Sequence, residues 1–220
     1  MKLIVCKFGG SSLADGNNIS RVADILRADL ARRFAVVSAP GKRFSNDIKV
    51  TDLLYECYRS AAQTGSCAAS FSAIRRRFTS IVEELGMTSF DIEAVLDETE
   101  REIELKKSAD FTASRGEYLN ARIIAAKLGW EFVDAKDVIF FKENGSFDEE
   151  KSYPLIAERL SSCQNAVIPG FYGTDAHGDI KTFSRGGSDI SGSIVARAVN
   201  AELYENWTDV SGFLACDPRI

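Results

Sequence analysis

Apolar residues near the start of the chain fall into short unbroken runs separated by helical spacing. Leu3 to Phe8 is one such run, ending at Gly9-Gly10-Ser11-Ser12, and predicts a buried strand that enters a tight loop. Ile19, Val22, Leu26 and Leu30 then recur every three or four residues, with Asn17 or Asn18 placed to cap the helix. Phe34 to Ser38 is a second run, closed by Ala39-Pro40-Gly41. A strand-loop-helix-strand unit within so short a stretch predicts a parallel sheet with right-handed crossovers.

The middle of the chain reads as helical. Leu53-Leu54, Phe71 to Leu85, and Ile92, Val95, Leu96, Thr99 and Ile103 carry periods of three and four. A further helix is predicted from about Glu117 to Leu128, opened by Ser114-Arg115-Gly116-Glu117 and stopped at Gly129. Strands resume at Trp130 to Val133, Val138 to Phe141 and Ala166 to Ile168. Phe171 to Phe183 predicts a hairpin that turns at His177-Gly178. Ser188 is placed to cap a helix holding Ile190, Ile194, Val195 and Ala198, and Leu203 to Trp207 is a last strand. No linker, repeat or low-complexity tract interrupts the chain, which reads as one α/β domain.

Composition narrows the function. The 27 basic residues against 32 acidic ones offer no general field for nucleic acid or anionic lipid, and Arg75, Arg76 and Arg77 read as a solvated helix face. The five cysteines are scattered without a CxxC pair and predict free thiols in a reducing cytosol. Only Leu3 to Cys6 is apolar before Lys7, too short for a signal peptide, and no run suits a membrane span. The single histidine, His177, sits in Asp175-Ala176-His177-Gly178-Asp179, which reads as a tight turn. The chemistry here is expected to need no imidazole base, and no metal-ligating cluster is expected.

Two glycine loops can carry that chemistry. Adjacent glycines in Lys7-Phe8-Gly9-Gly10-Ser11-Ser12 let successive backbone N–H groups approach phosphate oxygens, and Lys7 can reach a transferring phosphoryl group. Neither a GxxxxGK[ST] loop nor a GxGxxG fingerprint occurs. Ser184-Arg185-Gly186-Gly187-Ser188-Asp189 repeats the logic at a second helix start, with Arg185 as a fork for carboxylate or phosphate. Glu117 is either a first-turn acid or a partner for an ammonium group. Asp209 follows the last strand at its C-terminal end, where open α/β sheets bind ligands.

Taken together, Lys7 to Ser12, Val36-Val37-Ser38-Ala39, Ser114 to Glu117, Arg185 to Asp189, and Trp207-Thr208-Asp209 through Asp217-Pro218-Arg219 resemble the aspartate kinases, a branch of the amino acid kinase family. The resemblance implies a three-layer αβα sandwich around a mostly parallel sheet. It also implies transfer of the ATP γ-phosphoryl to the side-chain carboxylate of L-aspartate, toward lysine, threonine and methionine. A carboxylate is ionised at neutral pH, so such a transfer needs positioning and charge neutralisation rather than a base.

By the same resemblance, Lys7 stabilises the phosphoryl group in flight and Asp189 orients Lys7 or the metal–phosphate assembly. Gly9, Gly10 and Ser11 cradle phosphate. Arg185 takes the substrate α-carboxylate and Glu117 the α-ammonium, while Ser38, Thr51, Phe171 and Ser188 complete the amino-acid pocket. Thr208, Asp209 and Arg219 contact nucleotide, with Mg²⁺ borne by the phosphates. A cytoplasmic setting is implied, and a homo-oligomer is compatible with it.

This chain departs from the family in having Leu214 where a Tyr is usual. The family's catalytic domain also continues past Ile220, with another lysine and then regulatory ACT domains. Residues 1–220 are therefore expected to be a catalytic domain incomplete at its C-terminus, with no ACT domain. A kinase for another acidic metabolite such as glutamate, and an inactive module that binds nucleotide or amino acid without turnover, are the competing expectations.

Overall fold

The computed structural model describes residues 2–106, 108–184 and 186–208. In chain order these form β1 (Ile4–Phe8), α1 (Gly16–Arg27), β2 (Arg32–Val37), α2 (Val50–Thr64), α3 (Ala68–Glu84), α4 (Ile92–Lys106) and α5 (Ala109–Leu128). There follow β3 (Glu131–Phe132), α6 (Glu149–Ser161), β4 (Ala166–Pro169), β5 (Tyr172–Thr174), β6 (Ile180–Thr182), α7 (Gly187–Ala198) and β7 (Leu203–Trp207).

Five strands make one parallel sheet in the order β3-β4-β2-β1-β7, and β5 and β6 form the expected antiparallel hairpin apart from it. Side chains alternate across a strand, so each run serves both faces. Ile4, Cys6 and Phe8 pack with α1 to α5, whereas Val5, Phe34 and Val36 pack with α6 and α7. The result is three layers, helices on both faces of the sheet.

That alternation decides where Lys7 goes. It shares the face of Val5 and looks toward α7, while Phe8 looks the other way and stacks on Trp207 at 6.0 Å between ring centroids. β1, β2, β4 and β7 all end on one edge of the sheet, and the segments that follow them are Gly9–Gly10, Ser38–Gly41, Gly170–Phe171 and Thr208.

Several boundaries differ from those the pattern predicts. α1 is capped by Asp15, whose carboxylate accepts from the Asn18 amide, and not by Asn17 or Asn18. It stops at Arg27 because the chain turns there: the Asp29 side chain accepts from the Ala31 amide, which leaves Leu30 91% exposed. α5 starts eight residues earlier than predicted, at Ala109, where the Ser108 hydroxyl accepts from the Phe111 amide. Ser114 to Glu117 therefore lie inside the helix and are buried. Val138 to Phe141 forms no strand; Phe140 and Phe141 make only single bridges, to Thr174 and Phe147. α6 was not expected from the pattern, and it holds Pro154.

Candidate active site

A cavity of about 750 Å³ opens on the C-terminal edge of the sheet. Every sequence-predicted site residue that the structure describes lines it. Lys7, Gly9, Gly10 and Ser11 come from the end of β1, Ser38 from β2, Thr51 from the first turn of α2 and Glu117 from the middle of α5. Phe171 follows β4, Ser188 and Asp189 open α7, and Thr208 follows β7. Arg185, Asp209 and Arg219 lie outside the described residues, as does Leu214.

The β1 loop is drawn close to its neighbours. The Gly9 amide donates to the Trp207 carbonyl at 3.0 Å, and the Gly41 amide to the Gly10 carbonyl at 2.8 Å. A methyl on Gly41 would lie 2.6 Å from the Gly10 carbonyl, so the two loops meet only because both residues lack a side chain. Ser38 is fixed from two sides: its amide donates to the Phe8 carbonyl and its carbonyl accepts from the Asn120 amide group at 2.7 Å.

Lys7 is 6% exposed, and its ammonium lies 2.7 Å from Asp189 Oδ1 in the first turn of α7. Asn206 Nδ2 donates to the same oxygen at 3.1 Å. Burying an ammonium is tolerated when a carboxylate compensates it, and here half of that carboxylate's surface remains open to the cavity. The N-cap of α7 is Gly186, which has no side chain to cap it; Ser188 is inside the first turn rather than at the cap. The first amides of a helix lack acceptors within it, so this terminus faces the cavity as a site for negative charge.

Glu117 lines the same cavity with the opposite character. It is buried, and its Oε2 has no hydrogen-bond partner among the described residues. Burial pushes its carboxyl up to about 8, against a weaker pull from the Ala39 amide. A buried carboxyl with one oxygen left open on a cavity wall is a place for a ligand cation. Phe171 adds an apolar wall in a left-handed backbone conformation, φ 79°, held where its amide donates to the Ser191 hydroxyl.

Lys42, Phe44, Ser45 and Lys49 also line the cavity, and sequence reasoning passed over them. They belong to a polar stretch without periodicity, in which no motif marks them out. His177 is elsewhere: Asp175 accepts from the His177 and Asp179 amides in the hairpin turn, with Gly178 at φ 91°. The four described cysteines are free and buried, and none lines the cavity.

The Amino acid kinase family pattern matches residues 2–220. The chain belongs to the amino acid kinase family. Among similar proteins, Aspartokinase 3 of Bacillus subtilis (strain 168) is 38% identical over 98% of this chain and 50% of its own length. Aspartokinase 1, chloroplastic, of Arabidopsis thaliana is 32% identical over 98% of this chain and 42% of its own. The aspartate kinase structure from Clostridium acetobutylicum superposes with a TM-score of 0.94 at 53% identity, covering 100% of this chain and 51% of that one. E. coli aspartokinase III in complex with aspartate and ADP gives 0.81 at 27% identity, covering 99% and 52%. This amino acid kinase domain thus spans about half the length of the relatives it matches.

Proposed function

We propose that this domain is the phosphotransfer part of an aspartate kinase, moving the γ-phosphoryl of ATP to the side-chain carboxylate of L-aspartate. The observation that carries the reading is the meeting, in one cavity, of the Lys7–Asp189 pair, the α7 N-terminus and the buried Glu117 carboxyl, whose Oε2 has no partner among the described residues. A carboxylate oxygen of aspartate attacks the γ-phosphorus, the new O–P bond forms, and the bond to the β,γ-bridging oxygen breaks to release ADP. No proton has to move, which agrees with a cavity whose described lining holds no histidine.

In this reading Lys7 and the β1 glycine loop neutralise the phosphoryl oxygens in flight, and Asp189 holds the ammonium in place. Glu117 receives the α-ammonium of aspartate, Arg185 its α-carboxylate, and Ser38, Thr51, Phe171 and Ser188 shape the pocket. Ser11, Thr208, Asp209 and Arg219 belong to the nucleotide side. Among the described residues no group of three or more His, Cys, Asp or Glu is placed to hold a metal. Asp189 is the cavity carboxylate nearest Lys7 and is already paired, so the donor set fits a magnesium ion carried by the phosphates rather than caged by protein. When bound, that ion supplies charge neutralisation. Among the described residues no helix is long and apolar enough to cross a membrane, and a cytoplasmic setting, with or without a second copy, belongs to the same proposal.

Hydroxylamine trapping of acyl phosphate with Mg-ATP and L-aspartate tests it. Aspartate-dependent hydroxamate is expected, with Lys7→Ala lowering the rate about 10²-fold or more. Hydroxamate with glutamate but not aspartate would move the substrate to another acidic metabolite. Binding without hydroxamate, from folded protein, would make this half of the chain a binding module.

A further inference from the structure

Arg77 belongs to α3, is 5% exposed and does not line the cavity, yet its guanidinium reaches into the segment that does. Its Nη1 donates to Asp47 Oδ2 at 2.6 Å, and its Nη2 donates to the Gly41 carbonyl. Asp47 in turn accepts from the Arg43 side chain at 2.8 Å and from the Arg43 and Ile48 amides. Arg43, and then Arg77, hold its carboxyl well below the usual carboxylate range. One buried side chain therefore ties Gly41 to Asp47, two residues before Lys49, and Gly41 carries the tie onward to the Gly10 carbonyl in the phosphate-type loop.

Taking a guanidinium out of water is unfavourable unless its partners are well placed, and an apolar side chain of the same volume serves packing as well or better. Arg77 Nε is moreover buried without a partner among the described residues. What the charge contributes is geometry. The tied stretch contains Lys42 and leads directly into Lys49 at the start of α2, and both lysines line the cavity that Lys7 also lines.

We propose that Arg77 is a positioning residue of this site, holding residues 41–49 so that Lys42 and Lys49 grip a polyphosphate together with Lys7. The identity of that polyphosphate as ATP rests on the kinase reading; the clamp does not.

The test uses Arg77→Met, Arg77→Lys, Lys42→Ala/Lys49→Ala and the combination of Arg77→Met with both alanines. Mg-ATP and inorganic tripolyphosphate are the ligands, and amide hydrogen exchange is the structural readout. Arg77→Met is expected to speed exchange at residues 41–49, including the Arg43 and Ile48 amides, while the sheet stays protected. It should weaken binding of both ligands about tenfold or more, the worth of a lost charged contact. In the background lacking both lysines it should weaken binding no further, because its effect runs through them. Arg77→Lys keeps the charge but replaces the planar two-nitrogen fork by a single ammonium, and should behave like Arg77→Met. The proposal is overturned by unchanged exchange at 41–49, by loosening spread evenly over the sheet, by full affinity despite a loosened segment, or by a loss that persists without the lysines. Binding of tripolyphosphate but not Mg-ATP would defeat the kinase reading and leave the clamp standing.

Discussion

Glu117 is a carboxyl that the fold keeps out of water, with no partner for its Oε2 among the described residues. Between the ordinary value of 4.5 and about 8 the folded chain holds a proton there that the unfolded chain has released. Stability must then fall as pH rises through that window, by about 1.4 kcal/mol per unit for a fully coupled group. Gln keeps the shape and has no proton to lose. Urea denaturation near pH 5 and near pH 8 should show Glu117→Gln gaining on the parent by a few kcal/mol at the higher pH, by the same linkage. A difference that stays flat would mean the carboxyl is already ionised or solvated. The same proton bears on function: an ammonium favours the charged carboxylate, so the KM for aspartate should fall between about pH 6.5 and pH 8 in the parent and not in the variant.

At the scale of elements, α5 shows both what the sequence makes legible and what it hides. The glycine pairs at Gly9-Gly10 and Gly186-Gly187 could be read because few residue types tolerate a close ligand beside a strand end or helix start. Ser114-Arg115-Gly116 resembles a helix start for equally local reasons, and tertiary burial overrides it. That part of α5 is enclosed all round, so it shows no polar stripe from which a period could be read. Pro154 hides α6 in the same way, although Asp148 caps the helix by accepting from the Lys151 amide. Gly116 is helical because something else needs the space: a methyl there would lie 2.8 Å from the Ala39 side chain and 3.2 Å from Leu54. Gly116→Ala should gain about 1 kcal/mol of helix propensity and lose about 1–3 kcal/mol to overpacking, a net destabilisation. The displaced neighbour is Ala39, on the cavity wall, so aspartate binding should weaken as well. An Ala variant as stable as the parent, with unchanged aspartate affinity, would show that Ala39 can retreat freely.

Across the whole molecule, the cavity draws on residues from Lys7 to Thr208, so no single element contains it. The parallel sheet was legible from unbroken apolar runs, whereas its order was not: such runs carry no register, and β3 is two residues long. What joins the distant segments is the sheet edge itself, on which β1, β2, β4 and β7 release their loops side by side. A ligand that touches loops from opposite ends of the chain binds only when the sheet is formed, so its binding free energy becomes folding free energy. At about 100 times its Kd a ligand adds about 2.7 kcal/mol. For a domain of this size each kcal/mol raises Tm by roughly 2–4 °C, so Mg-ATP and aspartate should each raise it by about 5–10 °C. Lys7→Ala should abolish most of that rise, since it removes the cation between the β1 loop and α7. A folded chain whose Tm ignores both ligands at saturating concentration would mean that the four loops form a cleft without a competent site, and the remaining half of the relatives' length would then be needed to complete it.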